Sequence, residues 1–385
     1  MNVNHEHISP YYLHLASWYP NKFGPHDSTF VRDQVHVLSQ LQNSVLIAVI
    51  ESEKIEKAET EAHTHNNLTE YITYIPKSRG INRYIQYFKA LNLLSEKVIN
   101  EMGLPKLVHV HVGFKAVRLA YNLYNKYAIP YIVTEHFTVF SKHSTQRFKR
   151  LIRLYCKYYS NKASQVIGVG SKLSQSMLDS GIKKVSVIPN YIDESVFKFE
   201  NKLRRSKSFL HISSLAPHKN PGKIIDAFNI IAKQDDQATL TLLSSNDARL
   251  RSLENYKMEN YPALSVSFKK GTNKTGIARE MQKHDTLVMF SDFETFSMVA
   301  AEAACCGMKI IATRSGGPEE FLDPSLHILL NTGDQKGLFV AMEKCLHENN
   351  TVLRENFSKT LGKKLGVDSF KNAYLKVYES VVTYK

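Results

Sequence analysis

Short apolar runs alternate with amphipathic stretches along almost the whole chain. Residues 12–17 read as a first strand, and 30–41 carry apolar side chains at helical spacing (Phe30, Val31, Val35, Leu38, Leu41). Residues 45–50 are a continuous apolar run of buried-strand type. The alternation then recurs: strand-like 71–75, a helical pattern over 81–102, strands at 107–112 and 131–134, and a strand-to-helix passage at 165–171. Further strands are expected near 185–188, 209–213, 240–243, 264–268, 287–290, 309–313 and 328–330. Strand, helix, strand in repetition predicts an α/β fold with parallel sheets. Residues 51–70, polar and acidic with His63 and His65, read as a solvated loop or helix face. Two terminal helices are expected to close the chain, the last over 369–382.

The densest information lies between Leu287 and Glu320. An apolar strand passes through a short polar loop into a small-residue helical segment, and a second strand then leads to Gly316-Gly317. Ligands of parallel α/β sheets bind outside the carboxyl ends of the strands, where both loops would lie. Two carboxylates, Glu294 and Glu302, stand eight residues apart there. A helix starting near Phe296 would leave Glu294 in the loop ahead of it and Glu302 two turns inside. The first-turn N–H groups of Ser297, Met298 and Val299 would point outward and suit a phosphate. On spacing alone, two solvated glutamates bracketing a buried helix explain the pattern better.

The residues around that pair change the reading. Ser291-x-x-Glu294-Thr295-Phe296, Glu302-Ala303, Gly307, Gly316-Gly317 and Glu320 together resemble the Glu-x7-Glu segment of family 4 retaining glycosyltransferases. The resemblance implies a GT-B fold: two Rossmann-like, doubly wound domains facing across a cleft. It implies a first domain over 1–199 that binds the acceptor, with a C-terminal helix at about 369–385 packing back on it, and a second over 200–368 that binds a nucleotide sugar. Carried over residue by residue, Glu294 contacts hydroxyls of the donor sugar and Glu302 holds the ribose hydroxyls. Lys219, in Ala216-Pro217-His218-Lys219-Asn220-Pro221-Gly222, falls on the donor diphosphate. His136, just past the strand at 131–134, lies near the donor sugar and phosphate. Ser297 and Tyr191 stand where the family usually has glycine, and Ser214 where it usually has an arginine. The implied donor is UDP- or GDP-linked and the acceptor a glycan or lipid-linked sugar of the cell envelope. No resident cofactor and no metal are expected, since Lys219 and helix N-termini can carry the diphosphate and the chain lacks an Asp-x-Asp triplet.

Composition then narrows the setting. At 385 residues the chain can bury two ordinary cores, and no segment approaches about 20 uninterrupted apolar residues. Four cysteines without C-x-x-C spacing suggest neither disulfides nor a zinc site, and the cytoplasm is the expected compartment. The formal net charge of +14 points to an anionic partner. Between Glu135 and Asp179 there is no acidic residue and there are eight basic ones, from Lys142 to Lys172. Within this span, Phe148, Leu151, Ile152, Tyr155 and Tyr159 recur at helical spacing. That apolar stripe is expected to face the core. The basic face of this 142–162 helix is a candidate for docking a peripheral protein to an anionic membrane surface. A nucleic-acid partner is not expected, because no aromatic–basic recognition motif is present. A sugar-nucleotide epimerase or a phosphorylase of the same fold is the alternative enzyme reading.

Overall fold

The computed structural model describes residues 10–25, 28–136, 138–140, 148–200, 205–347 and 351–382. The start of the expected basic helix, residues 142–147, and Phe137 lie outside them. The chain divides into two compact units: residues 1–169, 173–188 and 371–385 form the first, and 170–172 and 189–370 the second.

The first unit is built on an eight-stranded sheet. Its strands are β1 (Tyr12–Ala16), β2 (Ser44–Ser52), β3 (Glu59–His65), β4 (Leu68–Pro76), β5 (Leu107–His111), β6 (Tyr131–Glu135), β7 (Gln165–Gly168) and β8 (Val185–Val187), in the order β3-β4-β2-β1-β5-β6-β7-β8. Every pairing is parallel except that of β3 with β4. Helices α1 (Thr29–Leu38), α2 (Gly80–Met102), α3 (Val117–Tyr127), α4 (Lys149–Ser160) and α5 (Ser171–Asp179) make the connections. Strands β5 and β6 are buried at every position, as a sheet covered on both faces requires.

The second unit has a wholly parallel sheet in the order β11-β10-β9-β12-β13-β14. The strands are β9 (Arg205–Ile212), β10 (Thr239–Ser244), β11 (Val266–Lys270), β12 (His284–Met289), β13 (Lys309–Thr313) and β14 (Ile328–Leu330). The helices are α6 (Pro221–Gln234), α7 (Asp247–Asn260), α8 (Lys274–Lys283), α9 (Met298–Cys305), α10 (Gln335–Cys345) and α11 (Thr351–Leu365), while α12 (Val367–Val382) begins here and from residue 371 belongs to the first unit. Phe209, Phe228, Ile224, Val288 and Leu338 centre its core. Strand order reverses between β9 and β12, which opens a crevice at their carboxyl ends. Residues 189–199 group with this unit: the Ile192 amide donates to Leu365 O, and Tyr191 packs on Phe370.

Three expectations are corrected. Residues 59–65 are neither loop nor helix but an antiparallel edge strand, paired with β4 through a turn at Asn66, which takes a left-handed φ of 50°. An edge strand exposed on both faces has no apolar alternation to betray it. Three helices, not two, follow β14, because Gly366 breaks α11 from α12. Finally, the apolar side of α4 meets the core only in part: Ile152, Tyr155 and Tyr159 are half-buried, with Tyr155 against Phe114 and Tyr159 against Tyr121, while Phe148 and Leu151 are exposed.

Candidate active site

Two loops at the carboxyl ends of β9 and β12 are tied together by short polar contacts. Asn220 Nδ2 donates to Phe290 O (3.0 Å) and to Asp292 Oδ1 (2.7 Å), and the Asp292 amide donates to His218 O (2.8 Å). Asn220 holds a left-handed φ of 49°, a conformation its short polar side chain tolerates. The His218 ring stacks on Phe293 at 4.4 Å. Burial, and then the Lys219 charge, lower the His218 pKa, so this ring is neutral at neutral pH.

This clamp fixes Lys219 at the end of the 3-10 turn Pro217–Lys219, directly ahead of α6. Its Nζ lies 2.6 Å from Glu294 Oε1, and Ser291 Oγ donates to the same oxygen at 2.7 Å. The two charged side chains are only 15% and 10% exposed, so their attraction is little screened by water.

The loop after β13 packs against this backbone. The Glu294 amide donates to Ser315 O at 2.9 Å. A Cβ on Gly317 would lie 2.3 Å from Phe296 O, and one on Gly316, whose φ is +120°, would lie 2.7 Å from Glu294 O. Only glycine permits that approach, which is why the pair stands there. Phe296 is buried against Phe321.

Helix α9 begins at Met298, two residues later than expected, so Glu302 sits one turn inside it rather than two. Ser297 caps it in the left-handed region (φ 72°, ψ 68°) without a side-chain capping bond. Its hydroxyl is buried and has no hydrogen-bond partner among the described residues. A buried hydroxyl at the opening of a helix whose first N–H groups point outward is suited to an anionic ligand. Glu302 is half-buried on the same helix.

One cation was not foreseen. Arg249, in the first turn of α7, donates from Nη1 to the backbone oxygen of Ser214 at 2.9 Å, and its charge is felt at His218. A guanidinium therefore stands over the position where the family's arginine was missed. Helix α7 has almost no apolar periodicity, and the contact spans 35 residues, so no local pattern announces it. Asn220, which clamps the two loops, and Ser291, which shares Glu294 with Lys219, were likewise not singled out as site residues.

His136 belongs to the first unit. It follows β6, is buried, and packs on Phe30 with ring centroids 4.7 Å apart. Burial holds its pKa down to about 3, and Nε2 has no partner among the described residues. Nearby, His14, His109 and His111 each bring a ring nitrogen within 4.8 Å of the others. His14 Nδ1 lies 3.0 Å from His111 Nε2, while both His109 nitrogens are engaged, with Tyr378 Oη and Thr134 Oγ1 at 2.8 Å each. The arrangement is a buried polar network to which α12 contributes Tyr378, and Tyr374 through Thr134.

Comparison with known proteins agrees with this architecture. Residues 28–196 match the family model described as Glycosyltransferase Family 4, and residues 193–363 that described as Glycosyl transferases group 1. An uncharacterized glycosyltransferase of Methanocaldococcus jannaschii is 27% identical over 329 residues, 82% of this chain and 86% of that one. Among solved structures, sucrose-phosphate synthase of Thermosynechococcus elongatus superposes with a TM-score of 0.78 at 16% identity, covering 98% of this chain and 100% of that one. HepE of Anabaena, in complex with UDP, gives 0.74 at 16% identity, with 96% and 100% covered. The chain is a GT-B glycosyltransferase. Within this glycosyltransferase, the residues described above in the second unit gather at the carboxyl ends of β9, β12 and β13 and around the openings of α6, α7 and α9. No helix among the described residues is long and apolar enough to cross a membrane.

Proposed function

We propose that this glycosyltransferase is a retaining enzyme of the family 4 type, moving a sugar from a UDP- or GDP-linked donor to an acceptor hydroxyl in cell-envelope or polysaccharide synthesis. The observation that carries the reading is the Lys219–Glu294–Ser291 array set between the openings of α6 and α9, beside the unpartnered Ser297 hydroxyl. HepE was solved with UDP and with UDP-glucose, and a plant starch synthase with ADP, which supports a nucleotide donor in the second unit.

In this reading Glu302 takes the ribose hydroxyls and Glu294 the hydroxyls of the donor sugar. Lys219, Arg249, the Ser297 hydroxyl and the Met298 and Val299 amides take the diphosphate. Two cationic side chains and two helix openings offset the charge that develops as the bond from the anomeric carbon to phosphate oxygen breaks, and no metal ion is required for it. The acceptor oxygen attacks the same face of the sugar and its proton passes to the departing phosphate oxygen, so configuration is kept. The resemblance assigns His136, neutral by burial, to the sugar, and in this reading the first unit holds the acceptor. The acceptor is a glycan or a lipid-linked sugar, and the basic helix α4 holds the enzyme at an anionic, cytoplasmic membrane surface.

The test is transfer from each common UDP- and GDP-sugar, with the anomeric configuration of the product read by proton NMR. An α-linked donor must give an α-linked product. Inverted product, or release of sugar phosphate on adding inorganic phosphate, contradicts the reading.

A further inference from the structure

The two sheets end on four edge strands, and three of them are blunted. Strands β8 and β14 are three residues long, and β11 closes on Lys269-Lys270. Short strands and edge lysines keep a sheet from pairing with another chain. Strand β3 has neither device. It is seven residues long, holds no lysine or proline, and pairs with β4 at every position from Glu59 to His65 without a bulge. It ends the strand order of its sheet, so the backbone N–H and C=O groups that alternate away from β4 meet no strand among the described residues.

The side chains of β3 form a palindrome of charge. Glu59 and Glu61 occupy its first half, His63 and His65 its second, and Thr60 and Thr64 flank Ala62 at the centre. Alternation places the two glutamates and two histidines on one face, and Thr60, Ala62 and Thr64 on the other. When the same strand of a second copy lies antiparallel to it about a two-fold axis at Ala62, all seven positions pair. Glu59 then stands opposite the partner's His65, Glu61 opposite the partner's His63, and Thr60 opposite the partner's Thr64. A register shifted by two residues would set Glu61, or His63, against its own copy at the axis and leave fewer pairs. A shift of one would oppose the two faces.

The neighbouring contacts keep this pattern intact. Lys22 Nζ lies 2.5 Å from Glu59 Oε1 and 2.8 Å from Glu61 Oε1, and one lysine between two carboxylates leaves that half of the strand acidic. Glu70, opposite His63 on β4, is engaged by Tyr19 and His36. On the other face the hydroxyls of Thr60 and Thr73 lie 2.9 Å apart and those of Thr64 and Thr69 3.2 Å apart. Threonine rungs therefore already cross from β4 to β3 and would continue into the second copy.

We propose that β3 is a self-pairing edge through which two copies of this chain join antiparallel, making one continuous sheet from two eight-stranded ones. Backbone hydrogen bonds and cross-strand pairs carry the contact, so the dimer is reversible and dissociates on dilution. No residue of β3 belongs to the donor site, and nucleotide binding stands apart from this contact.

Sedimentation velocity on a dilution series of the full-length chain tests it. Wild type should pass from dimer to monomer on dilution. Glu61→Lys sets a lysine against the partner's His63 on both sides of the axis, and His63→Glu sets glutamate against glutamate. Each alone should raise the dissociation constant about 5- to 30-fold, since each alters two cross-strand pairs. Mixed in equal amounts, the two variants oppose the new lysine to the new glutamate and His63 to Glu61. The mixture should therefore dimerise as wild type does, although neither variant does so alone. Glu59→Lys with His65→Glu repeats the test at the outer pair should either inner variant fail to fold. A wild type that stays monomeric up to about 100 μM, a dimer that neither substitution weakens, or a mixture that does not recover would overturn the proposal.

Discussion

Lys219 Nζ stands 2.6 Å from Glu294 Oε1, across 75 residues of sequence, with both side chains largely shielded from water. On the proposed assignment, which gives Lys219 to the diphosphate and Glu294 to the sugar, the carboxylate holds the cation when no donor is bound. Each partner therefore keeps the other in place, and donor binding must share Lys219 between Glu294 and phosphate.

That competition makes Glu294→Gln informative. Removing the carboxylate's charge releases Lys219, so free UDP or GDP should bind severalfold more tightly, while sugar transfer falls about 100-fold or more. Lys219→Met should do the opposite to nucleotide binding and also destabilise the fold by about 1–3 kcal/mol, since it leaves a shielded carboxylate without its cation. Calorimetric titration of the nucleotide and urea denaturation read the two effects.

Arg249 is predicted to do the work of the arginine that Ser214 displaces. Arg249→Ala should weaken nucleotide binding about 10- to 100-fold, the span of a lost charge-assisted hydrogen bond. Adding Ser214→Arg to that variant should restore much of the loss. A double variant no better than the single one would mean that the guanidinium serves only to hold the Ser214 carbonyl.

Ser297 combines strain with an unused hydroxyl. Ser297→Gly relieves the left-handed backbone and Ser297→Ala does not, so the glycine variant should melt no lower than the alanine one. Both should lose about 2- to 10-fold in nucleotide affinity if the hydroxyl donates to phosphate. Paired melting curves with and without nucleotide decide.

Buried histidines set the acid limit of the first unit. Burial is the largest cause in all four cases: it holds His14 and His136 down to about 3, and His109 and His111 well below the ordinary range. Unfolded, each ring takes a proton at about 6.5, so between that pH and the folded values the unfolded chain binds more protons. Stability is then full above about pH 6.5 and declines as pH falls, by at most about 1.4 kcal/mol per unit for each ring. The groups facing the network are Tyr374 and Tyr378 from α12, Thr134 from β6 and Phe30 ahead of His136, with the buried Glu135 carboxylate accepting from the Gly113 and His136 amides. Urea midpoints at pH 7.5 and pH 5 should show the fall, and His111→Gln should shrink the difference between them.

Much of this fold was legible because buried parallel strands leave continuous apolar runs, and the segment from Leu287 to Gly317 reads as strand, helix, strand and glycine loop without help. Glu294, Lys219 and Glu302 were singled out through the family resemblance of the residues around them, since spacing alone favoured two solvated glutamates and a surface lysine. What stayed hidden lacks local periodicity or depends on distance. Strand β3 is exposed on both faces and α7 has a mixed surface, so neither leaves a pattern. Arg249 enters only because α7 brings it to Ser214. The apolar stripe of α4 was visible, but which way it faced was not: helical spacing shows that one side is apolar, and packing alone decides whether that side meets the core.

The central claim is that the second unit is a nucleotide-sugar site with Glu302 on the ribose. The most direct measurement is the melting temperature of wild type and Glu302→Ala with UDP, GDP and ADP, each with and without its sugar. Ligand binding to the folded state must raise the melting point. The account predicts a rise with a UDP or GDP ligand in wild type that is lost in Glu302→Ala. A rise of equal size in both proteins, or none with any nucleotide, would contradict it.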